Sequence, residues 1–480
     1  MLFNSIEYAI FLPIVFLIYW AIGYAKISDS LKLRLQNALV IVASYIFYGM
    51  WDWRFLFLIA LTSFCSWGSG LLIEKSAKRK FWLISNIVFN IGMLAVFKYY
   101  DFFVSEFGQL FGLNTNGLLI CIILPVGISF YTFQALSYSI DVYRGNIQPT
   151  RDVLAFFAFI SFFPQLVAGP IERATNLLPQ FLQNRTFRYE QGVDGLRQIL
   201  WGLFKKIVIA DTCAMYVDQV WNTYDTQTGS TLFFAAILFT FQSYGDFSGY
   251  SDIAIGTAKL FDIKLMRNFN YPYFSRDIAE FWRRWHISLT TWFRDYVYIP
   301  MGGSRGSKWM IVRNTFVIFL LSGFWHGANW TFIAWGIYHA ALFLPLILFG
   351  QNRKFINHVA EGRLLPTGKE VLLMMMTFLL VCIGWIIFRA QTIEQAWDIL
   401  LLICNTSLFT IPTGLNTSVM LSCIMIAIML ITEWLNRSNS YGAEFNKLSR
   451  KWHVVTCVLM GLAILCFVQS TPSQFIYFQF

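Results

Sequence analysis

Histidine in an uncharged apolar run is the first chemical signal in this chain. Asn314 to Asn352 contains no Asp, Glu, Lys or Arg, yet it holds His326 and His339. An ionisable side chain in such surroundings costs free energy unless it is paired or put to use, so both are functional candidates. A neutral imidazole, with an ordinary pKa of about 6.5, can take the proton of a hydroxyl while that oxygen attacks an electrophilic carbon. Such a role typically contributes about 10²- to 10⁴-fold to rate. His326 is the stronger candidate, because Gly323 and Gly327 flank it in Ser322-Gly323-Phe324-Trp325-His326-Gly327-Ala328-Asn329-Trp330 and could let a substrate come close. On one straight helix His339 would lie roughly 20 Å beyond it and on the opposite face. His339 is therefore read as a packing histidine with its hydrogen bonds satisfied.

Lys264 to Arg313, just upstream, carries nine Lys/Arg against three Asp/Glu. Within it His286 could orient donor or acceptor, or could be hydrogen-bonded to backbone, and the two readings stand level. Arg283, Arg284, Arg294, Arg305 and Lys308 could receive the phosphates of a ligand or the acidic face of a partner protein; lipid headgroups are an equal alternative for any one of them. Trp325 joins the substrate-binding candidates. Asn329 could donate to a developing oxyanion, but a helix-end amide is the simpler reading. Asp246 and Asp252, either side of Gly249, could position a histidine; holding helix ends by accepting backbone N–H groups is favoured. No Ser-His-Asp spacing, Gly-rich phosphate loop, C-x-x-C pair or His/Cys cluster is present, so neither a metal nor a bound cofactor is expected.

The elements that must position these residues are membrane helices. Of 480 residues 57% are hydrophobic and 13% charged, against about 25% charged in soluble domains. Uncharged runs recur throughout, which specifies an all-α, multi-pass membrane protein. Candidate spans are 8–25, 35–51, 55–73, 81–97, 118–140, 207–222, 231–245, 314–330, 333–349, 371–388, 418–434 and 453–470, about twelve crossings. Basic loops at 26–34, 75–80, 144–151, 353–369 and 437–451, the last with Lys447, belong on the cytoplasmic side. The first run, Tyr8 to Ala25, lacks a basic leader and is expected to stay as a helix rather than leave as a signal peptide. Val153 to Ile171 breaks the alternation and, with Pro164 and Gly169-Pro170, reads as a re-entrant or broken helix; 399–416 reads as a surface or partial helix. From Asp277, the spacing of Trp282, Trp285, Leu289, Trp292, Phe293 and Tyr296 predicts one interfacial helix with its aromatic face towards the membrane, ended by Pro300, Gly302 and Gly303. A helix rising from Arg313 would place His326 about 18 Å deep. Residues 1–480 are treated as a single polytopic domain: N-terminal helices over 1–150, a core with the re-entrant and interfacial helices and His326 over 151–350, and C-terminal helices over 351–480. Nothing favours nucleic acid, because the basic residues lie in short loops.

Several motifs carry a resemblance. Phe281-Trp282-Arg283-Arg284-Trp285-His286-Ile287-Ser288-Leu289, Asp295-Tyr296-Val297-Tyr298-Ile299-Pro300-Met301-Gly302-Gly303 and Trp325-His326-Gly327-Ala328-Asn329-Trp330 resemble the signature of the membrane-bound O-acyltransferase superfamily, most closely its bacterial alginate O-acetylation branch. Met1-Leu2-Phe3-Asn4-Ser5, Gln165-Leu166-Val167-Ala168-Gly169-Pro170-Ile171 and Asp246-Phe247-Ser248-Gly249-Tyr250-Ser251-Asp252 extend it over most of the chain. The resemblance implies a ring of about 11–12 tilted helices around a central funnel, with His326 matching the family's catalytic histidine and His286 a second active-site histidine. It further implies acetyl transfer in the bacterial cytoplasmic (inner) membrane, from a cytoplasmic donor, acetyl-CoA or an acyl-carrier thioester, towards a cell-surface polysaccharide. An extracytoplasmic partner of the SGNH type would complete the transfer, with membrane lipids around the protein. The alternatives are D-alanyl transfer to teichoic acid from a carrier protein and, outside the enzyme class, a polysaccharide or lipid-linked sugar transporter with paired broken helices.

Overall fold

The computed structural model describes residues 1–444, 449–469 and 475–476. Lys447, within the basic loop expected at 437–451, and Ser470, the end of the span expected at 453–470, lie outside the described residues. Among those described the regular structure is all helical, and it falls into two compact units: residues 1–196 with 254–266, and residues 197–253 with 267–480.

The first unit holds α1 (Ile6–Tyr24), α2 (Asp29–Gly49), α3 (Leu56–Lys75), α4 (Arg79–Leu94), α5 (Tyr100–Phe111), α6 (Ile128–Arg144), α7 (Val153–Ser161), α8 (Phe163–Leu166) and α9 (Ala174–Phe181). The second is built from α11 (Asp211–Asn222), α13 (Ile278–Arg284), α14 (Ile287–Phe293), α15 (Lys308–His326), α16 (Trp330–Leu348), α17 (Gly368–Arg389), α18 (Ile393–Ile403), α19 (Thr417–Leu435) and α20 (Arg450–Phe467); α10 (Tyr189–Leu203) and α12 (Gly229–Leu260) contribute to both. Short polar side chains set many of the starts. Ser5, Ser28, Asp152, Ser307, Asn329, Thr367, Thr392 and Asn416 each accept a backbone N–H from the first turn of the helix that follows, a contact worth about 1 kcal/mol.

Among the described residues six helical stretches are long and apolar enough to cross a membrane: Ile6–Tyr24, Trp53–Lys75, Arg79–Phe111, Trp330–Leu348, Gly368–Arg389 and Thr417–Leu435. Helices also occupy other expected spans, but their sequences are more polar because a polar face turns inward: α2 buries Gln36, Asn37 and Ser44, and α6 buries Thr132, Gln134, Ser139 and Asp141. The span expected at 118–140 is α-helical only from Ile128. Pro125 precedes that start, and Gly127, at φ +76°, comes so near Leu166 that an added Cβ would lie 2.5 Å from its carbonyl oxygen. The expected break in 153–171 is present at Phe162, between α7 and α8, where the Phe163 N–H donates to Ser44 Oγ at 3.0 Å. Residues 399–416 contain the end of α18 and a short 3₁₀ turn at Thr406–Phe409.

The 275–313 segment departs from the single amphipathic helix that its spacing predicts. Asp277 does cap the start, but the chain breaks at His286, which adopts the left-handed conformation (φ +44°, ψ 53°), and α14 then runs into a wide π-helical turn over Arg294–Tyr298. The break is held by a neighbouring extended stretch: Asn270 N–H donates to the Arg284 carbonyl and Ile287 N–H to the Asn268 carbonyl, both at 2.9 Å. Trp282, Trp285 and Trp292 are buried inside the protein rather than turned to a membrane surface. Long-range backbone hydrogen bonds and interior packing override the local periodicity here, as helix propensity alone is a weak prior.

α15 and α16 form a tight antiparallel pair. A Cβ on Gly323 would lie 2.2 Å from the Phe332 carbonyl oxygen, one on Gly327 2.2 Å from the Phe332 ring, and one on Gly336 2.5 Å from the Phe319 carbonyl oxygen. The glycines around His326 therefore serve helix packing, not the approach of a substrate. Gly323→Ala should lower unfolding free energy by about 1–3 kcal/mol through overpacking, read as a lower midpoint in thermal unfolding in detergent. An unchanged midpoint would mean that the close approach is not needed.

Candidate active site

His326 is the last residue of α15, because Gly327 leaves the helix in extended conformation and Asn329 starts the next one. The imidazole is buried against Trp325, Trp335 and Phe388, with ring centroids 4.9, 5.2 and 5.1 Å away. His286 is also buried, edge-on to Phe247 at 4.7 Å and 5.7 Å from Trp325. Trp325 thus touches both histidines. Burial, with no charged partner to offset it, holds the His286 imidazole well below its ordinary pKa and therefore neutral.

Both histidines line one cavity of about 480 Å³ in the second unit, a size in the range of small-ligand sites. Its walls include Trp282, Trp285, Phe293, Phe319 and Phe343, with Thr315 and Ser322 as polar points; Arg283, Arg294 and Arg353 also line it. Arg283 donates to the carbonyls of Asn352 and Phe355 at 2.6 and 2.8 Å, while Arg294 pairs with Asp295 at 2.7 Å. Arg353 is exposed. A basic residue directly after a long uncharged run was a sequence signal for Arg353 that the upstream basic cluster overshadowed.

Other candidates lie elsewhere. Arg284 is buried and, with Arg276, clamps Glu280: Arg284 lies at 2.7 Å and Arg276 at 3.0 Å. It anchors α13 and does not line the cavity. Asn329 caps α16, accepting from Thr331 N–H at 3.0 Å and donating to the Gln391 carbonyl at 2.8 Å. Asn329→Ala should cost about 1 kcal/mol of stability and leave kcat within about twofold; a drop of about 10²- to 10³-fold in kcat would instead reveal an oxyanion donor.

Asp246 and Asp252 position neither histidine; both face a lysine pair. Lys205 lies 2.5 Å from Asp252, and Lys206 bridges Asp246 (2.7 Å) and Asp211 (2.8 Å). The lysines sit on a π-helical stretch, Phe204–Ala210, packed close to α12: a Cβ on Gly202 would meet the Gly249 carbonyl oxygen at 2.5 Å. His339 differs from its expected placement, since the turn at 327–329 brings α16 back along α15 and both His326 and His339 pack on Trp335, at 5.2 and 4.9 Å. His339 is caged by Trp282, Trp335 and Tyr338, and its Nδ1 has no hydrogen-bond partner among the described residues, so its ring is packed but not satisfied. Among the described residues no group of three or more His, Cys, Asp or Glu side chains is placed to hold a metal.

The chain is thus a multi-pass helical membrane protein in which two imidazoles and three arginines line one cavity. The profile of the membrane-bound O-acyltransferase family matches residues 38–383, and the chain belongs to this family of acyltransferases. It is 41% identical to a protein of Pseudomonas aeruginosa named probable alginate O-acetylase, over 81% of this chain and 72% of that one. It is 33% identical to the peptidoglycan O-acetyltransferase of Helicobacter pylori, over 98% and 95%. The teichoic acid D-alanyltransferase of Bacillus subtilis is 30% identical over 55% of this chain and 69% of its own length.

Proposed function

We infer that this acyltransferase moves an acetyl group from a cytoplasmic thioester donor across the membrane towards a cell-surface polysaccharide, with His326 as general base and His286 assisting. The observation that carries the reading is the single cavity lined by both imidazoles and by Arg283, Arg294 and Arg353. The acceptor hydroxyl gives its proton to the His326 imidazole as its oxygen attacks the thioester carbonyl. The carbon–sulfur bond breaks, the acetyl ester forms, and the imidazole returns the proton to the departing thiolate. The arginines suit the phosphates of acetyl-coenzyme A or the acidic face of an acyl carrier. Relatives named for alginate and peptidoglycan O-acetylation match more of the chain than the D-alanyl relative does, and support acetyl as the group and polysaccharide as the acceptor. Residence in the bacterial inner membrane, and an extracytoplasmic SGNH-type partner that finishes the transfer, belong to the same reading. The test is transfer from labelled acetyl-coenzyme A by the purified protein in lipid nanodiscs, supplied with a hydroxyl acceptor and such a partner. Label reaching the acceptor supports the reading. Transfer of D-alanine from a carrier protein, with none of acetyl, would replace it.

A further inference from the structure

His286 Nδ1 lies 3.1 Å from Asn268 Oδ1. Which end of that amide faces the ring is settled by its other neighbours. The backbone N–H of Ser288 can only donate, and it points at the same atom at 3.3 Å; Ser288 Oγ donates to it at 2.9 Å. The opposite end, Nδ2, donates to Ser251 Oγ at 3.1 Å. The atom facing the imidazole is therefore the carbonyl oxygen, an acceptor, so Nδ1 must carry the ring's proton. A neutral imidazole has one such proton, which leaves Nε2 bare. Nε2 is buried and has no hydrogen-bond partner among the described residues, while His286 lines the cavity. A buried acceptor left open is costly unless a ligand completes it. The His286 backbone is left-handed and pinned at Ile287 to the Asn268 carbonyl, and Phe247 stands edge-on to the ring at 4.7 Å.

We propose that Asn268 is a positioning residue that locks His286 in the Nδ1–H tautomer and so presents the Nε2 lone pair to the cavity, where it accepts a hydrogen bond from the acceptor hydroxyl. The lock stands on geometry; its use in turnover rests on the acyl-transfer reading above. Oriented in this way, the hydroxyl is held for deprotonation, and loss of the orienting partner weakens turnover rather than donor binding.

The test is nitrogen NMR of histidine-labelled protein in nanodiscs, with the His286 signal assigned by its loss in His286→Gln, alongside acetyl-transfer kinetics. The unmodified protein should show His286 neutral with its proton on Nδ1. Asn268→Asp, which keeps an acceptor oxygen, should retain that signal and most of kcat. Asn268→Leu should move the proton to Nε2 or mix the tautomers, and lower kcat by about 10- to 100-fold, the range seen when a histidine loses its outer partner, with KM for the donor within about twofold. An Nε2–H signal in the unmodified protein overturns the lock even if Asn268→Leu does not fold. A shifted tautomer with unchanged kcat overturns its role in turnover. An Nδ1–H signal in protein that transfers no acetyl supports the lock and counts only against the acyl-transfer reading, since the spectrum needs no turnover.

Discussion

His326→Gln in lipid nanodiscs is expected to transfer acetyl at least about 10²- to 10⁴-fold more slowly than the unmodified protein, with KM for the donor little changed. Glutamine keeps most of the volume against Trp325, Trp335 and Phe388, so packing is largely preserved while the proton acceptor is lost. A general base acts in the transition state, and removing it lowers kcat and kcat/KM together; a residue that only bound donor would raise KM instead. Initial rates at several donor concentrations, with the folded fraction checked by thermal unfolding, separate the two. Undiminished kcat in a folded variant would remove His326 from the chemistry and leave the cavity without its base.

The second large effect concerns stability. Lys205→Met should lower unfolding free energy by up to about 3–5 kcal/mol, because it leaves the half-buried Asp252 carboxylate without a cation, whereas Lys205→Met with Asp252→Leu should recover most of the loss. Lys205 is only 3% exposed and Asp252 13%, at a separation of 2.5 Å, and water has little access to compensate either charge. Gln198 also donates to Asp252, at 2.8 Å, but a neutral amide does not replace the ammonium. Chemical denaturation of the two variants in one detergent measures the difference. Equal losses in single and double variants would show that packing around α12 matters more than the charge pair.

The sequence makes the membrane class and the main helices legible and marks His326 as a candidate, since long apolar runs and an imidazole within one are strong local signals. His286 was visible as a candidate, but its setting was not. The 3.6-residue spacing of tryptophans promised an unbroken helix, and only the hydrogen bonds from 268–270, many residues away, break it at His286. Asn268 carried no local sign of its role, being one asparagine in a basic loop. Arg284 and Arg283 are neighbours with the same charge; a buried Glu280 claims the first while the second lines the cavity, a division that only tertiary contacts decide. The same holds for His339, whose distance from His326 along the chain says little once the helix turns back at Gly327.

The way the chain is shared between the two units bears on how the protein can be taken apart. Residues 254–266 belong with 1–196, although 57 residues of the other unit, 197–253, intervene. They supply Thr257, whose hydroxyl meets Tyr8 at 2.7 Å, and the Leu260 and Phe261 carbonyls, which accept from Trp20 at 3.0 Å and Tyr19 at 3.2 Å. A gene cut after codon 196 would strip those partners from buried aromatic side chains. Two-plasmid complementation should therefore fail at that site, and a fragment that keeps the first unit whole must run through residue 266, carrying the Lys205 and Lys206 ion pairs with it.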